Sequence, residues 1–81
     1  MPARSVTLFG AKGCHLCDRA RETLHSLREE LGFEFDEVDI TGDPELEKHY
    51  REWLPVVEID GERAFVYFVP EDAFRRKVAR A

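Results

Sequence analysis

The tetrapeptide Cys14-His15-Leu16-Cys17 holds both cysteines of the chain, and its setting restricts the fold more than any other feature. Before it, Ser5 to Phe9 reads as a short strand of alternating, β-favouring residues. Gly10 and Gly13 then mark a loop. From Cys14 onward, Cys17, Ala20, Leu24, Leu27 and Leu31 recur at helical spacing, and Gly32 stands where a left-handed residue closes such a helix. The cysteines therefore lie at a strand-to-helix junction, one turn apart on one face and near enough to be joined. Unpaired N–H groups at a helix amino terminus favour an anion, and a thiolate is one. Lowering a thiol pKa from ~8.5 to ~6.5 takes ~2.7 kcal/mol and raises the thiolate at neutral pH from a few per cent to roughly three quarters. On this geometry Cys14, at the loop edge, is the nucleophile. Cys17, on the apolar stripe, is the resolving thiol.

Downstream, Phe33 to Ile40 reads as a second strand with a break in phase. Phe33 and Phe35 share one parity and Val38 and Ile40 the other, which leaves either a bulge or burial on both faces. Thr41, Gly42 and Asp43 end it, and Pro44 suits the first position of a short helix with Leu46, Tyr50 and Trp53 as its apolar stripe. Leu54-Pro55 opens a third strand, Val56 to Ile59, and Asp60-Gly61 is a hairpin turn into a fourth, Ala64 to Phe68. Pro70, Glu71 and Asp72 have the character of a first helical turn, with Phe74 and Val78 stacked four apart. The order is β-α-β-α-β-β-α, a mixed sheet with helices. Periodicity leaves its strand order open.

Eighty-one residues suit one domain spanning 1–81, and two cysteines are too few for a disulfide scaffold. With 43% hydrophobic and 36% charged residues and no apolar run of spanning length, the chain is not a membrane protein. The apolar alternation at Val6 and Leu8 begins without a preceding signal segment, so a cytoplasmic location is expected. A net charge of −5 argues against nucleic acid as a partner. The basic group Arg75, Arg76, Lys77 and Arg80 reads as a complement to a helix C-terminal dipole. The nine acids between Glu29 and Glu47 read as a solvated face in preference to a surface that steers basic partners.

Three other readings of the cysteine pair stay open beside redox chemistry. A staple across so short a loop contributes only ~2 kcal/mol, and a reducing compartment opposes it. A zinc site needs four ligands, for which a second CxxC is lacking and only His15, His25 and His49 remain as supplements. The third is an inert pair. Redox chemistry is preferred, with no metal and no bound cofactor.

These residues resemble the thioredoxin superfamily, and within it the small bacterial glutaredoxin-like proteins in which a CHLC motif is usual. The resemblance covers nearly the whole chain and rests on Cys14-x-x-Cys17 after the first strand, Leu54-Pro55 before the third, and the Ile59-Asp60-Gly61 turn. It implies a thioredoxin-like, glutaredoxin-type α/β fold, with a four-stranded mixed sheet of order 2-1-3-4 flanked by three helices. It also implies a cis peptide at Leu54-Pro55, where a trans proline merely starting a strand is the alternative. Carried over, Leu54 offers its N–H and C=O to a bound glutathione or peptide, and Pro55 shapes the platform beside Cys14.

The implied activity is thiol–disulfide exchange through a mixed disulfide, by a monomer. The substrate is a protein disulfide or a glutathione mixed disulfide, and glutathione or thioredoxin reductase supplies the electrons. The rivals are a metal- or iron–sulfur-binding module and a thioredoxin-fold partner protein without turnover. Departures from the usual pattern are local. His15 and Leu16 replace the Pro-Tyr pair between the cysteines, and His15 either favours the Cys14 thiolate or relays a proton, or simply faces solvent. Lys12 stands two residues before Cys14 where a lysine three before is common; it either reaches a substrate carboxylate or stays a solvated loop residue. Trp53 is expected to pack under the second helix in preference to lining a groove. Phe68-Val69-Pro70 replaces a glycine pair that holds the terminal carboxylate of glutathione, and Pro70 has no N–H to offer.

Overall fold

Apolar side chains fall on both faces of the central strands, and the backbone forms a sheet covered on both sides. The computed structural model describes residues 4–79. Its elements are β1 (Ser5–Gly10), α1 (His15–Leu31), β2 (Glu34–Asp39), α2 (Pro44–Tyr50), a 3₁₀ turn (Arg51–Trp53), β3 (Val56–Ile59), β4 (Glu62–Val66) and α3 (Glu71–Ala79). The sheet has the order β2-β1-β3-β4, with β1 parallel to β2 and antiparallel to β3, and β4 antiparallel to β3. This is the expected thioredoxin-like architecture, strand order included.

The phase break in β2 is burial on both faces. Its register with β1 runs without interruption from Ser5 against Glu34 to Gly10 against Asp39. Phe33 and Phe35 join Val6, Leu8, Val57 and Ile59 beneath α1 and α3, where Leu24, Leu27 and Phe74 meet them. Val38 and Ile40 join Phe9, Ala11 and Val56 on the opposite face, covered by Leu46 and Tyr50 of α2. The bulge lies elsewhere, in β4. Val57 faces Phe65 while Glu58 faces Arg63, so Ala64 is the extra residue.

Local signals explain the element ends. Asp43 caps α2, its carboxylate accepting from the N–H groups of Glu45 and Leu46. Gly32 closes α1 at φ 75°, its N–H bonded to the Arg28 carbonyl at 2.8 Å. The hairpin turn has positive φ at both Asp60 and Gly61. Asp60 also accepts from the Ser5 N–H and from Arg4, which hold its carboxyl below the usual range.

Three expectations need correction. Trp53 does not extend the α2 stripe, because the backbone tightens to a 3₁₀ turn at Arg51 and leaves the indole 41% exposed. β4 ends at Val66, two residues early, because Tyr67 adopts φ 72°. Arg75 ties helices together rather than complementing a dipole: its guanidinium holds Glu30 of α1 at 2.7 and 2.9 Å and also meets Asp72. Arg76 and Lys77 do lie in the last turn of α3, and Arg80 lies outside the described residues.

β2 and β4 are the two edges of the sheet. β2 carries Glu34, Asp36, Glu37 and Asp39 along its length, of which Glu37 pairs with Arg21 of α1.

Candidate active site

Cys14 is the residue that caps α1. It sits in extended conformation just before the helix, and its Sγ accepts the Cys17 N–H at 3.1 Å. Cys14 and Cys17 are joined as a disulfide, with Cα atoms 5.2 Å apart. Cys14 is partly exposed, whereas Cys17 is fully buried. The spacing thus produces two different sulfurs from one turn of helix: one at the surface against a helix amino terminus, one inside.

The interior position of Cys17 depends on Gly10, the last residue of β1. A Cβ placed on Gly10 would stand 3.2 Å from Cys17 Cβ and 3.4 Å from its Sγ. Gly10 is therefore the seat of the buried cysteine, a role that its reading as loop punctuation missed. The antiparallel register sets Phe9, which precedes Gly10, against Val56, which follows Pro55. Leu54, extended at φ −62° and ψ 143°, packs on the cluster that contains Ala11. The Leu54–Pro55 peptide is cis. Topology thus brings Cys14, Cys17, Leu54 and Pro55 to one end of the sheet, from sequence positions about 40 apart. We expect Gly10→Ala to cost about 1–3 kcal/mol through overpacking against Cys17, read by denaturant unfolding. An unchanged midpoint would show that Cys17 does not depend on this seat.

Lys12 and His15 lie at the rim, both exposed. The Lys12 backbone N–H donates to Thr41 Oγ1 at 3.1 Å, and the Thr41 N–H donates to Asp39 at 2.8 Å. Hydrogen bonds from the Thr41 hydroxyl and N–H hold the Asp39 carboxyl below its ordinary value, and the Lys12 charge adds to this. Thr41 and Asp39 thereby brace the loop that carries Cys14. No spacing rule marks them, since they come from the far end of the parallel neighbour strand. His15 opens α1 beside Cys14, while His25 meets Phe35 edge-on and His49 meets Tyr50. Among the described residues, no three of His, Cys, Asp and Glu gather as a metal-binding group. No helix among them is long and apolar enough to cross a membrane.

The segment after β4 is exposed, which its apolar residues do not signal. Tyr67 is 44% and Phe68 66% exposed, and with Val69 they border a depression of about 220 Å³ against Leu16, Arg19, Ala20 and Thr23 of α1. The Tyr67 N–H bonds to the Pro55 carbonyl at 2.9 Å, so this segment is tied directly to the Leu54-Pro55 step.

A four-stranded 2-1-3-4 sheet with a cysteine pair at the start of its first helix, the first cysteine its cap, defines a dithiol protein of the thioredoxin superfamily. The chain belongs to the glutaredoxin-like domain family (DUF836), whose model matches residues 5–79. It is 35% identical to the uncharacterized protein Rv0508 of Mycobacterium tuberculosis over 100% of this chain and 89% of that protein. Among solved structures it is similar to protein Ne2328 from Nitrosomonas europaea, at a TM-score of 0.83 and 25% identity over 98% of this chain and 95% of that one. Protein XcR50 from X. campestris matches at a TM-score of 0.77 and 30% identity, over 94% of this chain and 97% of that one. Mitochondrial thioredoxin 3 from Saccharomyces cerevisiae, at 17% identity, shares the fold.

Proposed function

We propose that this protein is a thiol–disulfide oxidoreductase in which Cys14 is the attacking sulfur. The observation that carries the reading is the asymmetry of the pair: Cys14 partly exposed as the cap of α1, Cys17 fully buried behind it. In the reduced form the Cys14 thiolate attacks one sulfur of a substrate disulfide. That S–S bond breaks, the departing sulfur leaves as a thiolate and takes a proton, and a Cys14–substrate mixed disulfide forms. Cys17, deprotonated, then attacks Cys14 Sγ, releases the second substrate thiol and closes the Cys14–Cys17 disulfide. The substrate gains two electrons and the protein loses two. Two glutathione thiols, or thioredoxin reductase, restore the dithiol, and no bound cofactor takes part.

Leu54 would align the substrate backbone through its N–H and C=O, with Pro55 forming the wall beside Cys14. His15 and Lys12 stand exposed at the rim, within two residues of Cys14, where they would meet the incoming substrate. The reading places the reaction in a reducing compartment, the cytoplasm, where an external thiol is at hand.

The test is entrapment. With Cys17→Ser, reduced protein mixed with a small aromatic disulfide should hold one stoichiometric adduct, mapped to Cys14 by mass spectrometry. With Cys14→Ser under the same conditions, buried Cys17 should label far more slowly. Equal labelling of the two cysteines, or none on Cys14, would sink the assignment.

A further inference from the structure

The loop that delivers Cys14 to the start of α1 has little packing to hold it. Lys12 and Gly13 are exposed, and a recess of about 300 Å³ opens beside them, lined by residues 10–13 and by Glu37 and Asp39 of β2. Hydrogen bonds must therefore fix its path. Among the described residues the loop makes one such bond to itself, from the Cys14 N–H to the Ala11 carbonyl, long at 3.4 Å. Two more come from the segment that follows β2. The Ile40 N–H donates to the Gly10 carbonyl at 2.9 Å where the loop begins, and Thr41 Oγ1 accepts the Lys12 N–H at 3.1 Å in its middle. Among the described residues, Thr41 is the one whose side chain bonds to the backbone between Gly10 and Cys14.

The Thr41 hydroxyl is engaged on both sides. Its oxygen takes the Lys12 N–H and its hydrogen goes to the Asp39 carboxylate, which also accepts the Thr41 N–H at 2.8 Å. A bond to a charged acceptor is the stronger kind, and it leaves the lone pairs of the oxygen for Lys12. A branched Cβ limits threonine to few rotamers, so the oxygen has little freedom to leave. Asp39 is itself fixed, being paired in register with Gly10 across the parallel strands.

This anchoring bears on where the Cys14 sulfur lies. Gly13 alone separates Lys12 from Cys14, which is extended at φ −93° and ψ 105° and whose Sγ meets the Cys17 N–H at 3.1 Å. A thiolate at that point is stabilised by the N–H and by the amino end of α1, and a neutral thiol much less so. In the reduced protein no S–S bond ties the two cysteines, so the path of the loop sets the position of Sγ.

We propose that Thr41 is a positioning residue for the attacking thiolate: its hydroxyl, oriented by Asp39, anchors the Lys12 backbone and so keeps Cys14 Sγ at the amino terminus of α1 in the reduced protein. This rests on the reading of Cys14 as the attacking sulfur and adds no step to the exchange.

Thr41→Val is the test, because valine keeps the shape of threonine without the hydroxyl. Thr41 is exposed, so the core is untouched. No charge changes either: Lys12 in the loop, His15 and Asp18 in the first turn of α1 and Asp39 of β2 all remain. Reduced full-length protein is labelled with iodoacetamide over a range of pH, and each cysteine is followed by mass spectrometry. Where the wild-type thiol is partly ionised, Thr41→Val should label Cys14 at least about threefold more slowly, the scale of one hydrogen bond. At high pH, where Cys14 is ionised in both proteins, the two rates should meet. Thr41→Ser restores the hydroxyl and should follow the wild-type profile. Coincident profiles for Thr41→Val and wild type, a deficit that persists at high pH, or equal losses in Thr41→Ser and Thr41→Val would overturn the proposal. Faster labelling of the buried Cys17 in Thr41→Val would overturn it too, since Thr41 would then hold the fold rather than the thiolate. The wild type alone tests the underlying reading: if its Cys14 labels no faster than Cys17, the assignment of the attacking sulfur fails. If Cys14 labels first and Thr41→Val does not differ, only the role of Thr41 fails.

Discussion

Cys14→Ser is expected to reduce disulfide exchange to the rate of the protein-free solution while leaving the fold in place. The two halves of that expectation have separate causes. A hydroxyl cannot form a disulfide, and at neutral pH it is not an anion, so the first covalent step has no substitute. Serine is nevertheless among the preferred helix caps. Its oxygen can take over the Cys17 N–H that Cys14 Sγ now accepts, so α1 keeps its first turn. Cys14→Ala loses the cap as well, and should be less stable than Cys14→Ser by about 0.5–2 kcal/mol although equally inactive. Stability is compared with the reduced wild type, because both variants also lack the cross-link. Insulin reduction with either electron donor gives the activity, and urea unfolding the stability. Residual exchange well above background in Cys14→Ser would move the chemistry to another group.

Phe74→Ala is expected to have the largest effect on folding. Phe74 is the one fully buried residue of α3. Its ring meets Phe33 edge-on at 5.3 Å and lies 6.2 Å from Phe65, so it joins α3 to the strand ends under α1. Truncating a buried phenylalanine costs about 3–5 kcal/mol, and a chain this size has a margin of about 3–5 kcal/mol from its core. The variant should be largely unfolded at 25 °C, or melt at least ~12 °C lower if the native margin is generous. Circular dichroism on heating checks this. A loss under about 1 kcal/mol would mean that α3 docks on the sheet without contributing to its cooperative unfolding.

Much of the fold was legible because local and tertiary preferences agree. The stripe Cys17, Ala20, Leu24 and Leu27 is the buried face of α1, and Gly32 and Asp60-Gly61 adopt the positive φ that their positions call for. The strand-to-helix setting of the cysteines was legible for the same reason. What escaped was set by contacts between distant segments. Trp53 follows helical spacing after Tyr50, but the 3₁₀ turn from Arg51 changes the angle between successive residues and swings the indole outward. Tyr67 turns the chain where no glycine or asparagine signals a turn, held by a carbonyl twelve residues earlier in sequence. Gly10 looked like loop punctuation, whereas its lack of a side chain makes room for Cys17. In β2 the sequence offered two explanations of one parity break, and only the register with β1 chose between them.

The acidic run along β2 has a consequence for crowding. An edge strand exposes a row of unpaired N–H and C=O groups, an open invitation to another copy of the same chain. Two copies meeting along β2 would bring Glu34, Asp36, Glu37 and Asp39 of one against the same four residues of the other, and among the described residues only Glu37 of these pairs with an arginine. Like charges directly opposite one another oppose such pairing. The protein can thus present an apolar surface at its cysteine end while its β2 edge is charged against pairing with its own kind.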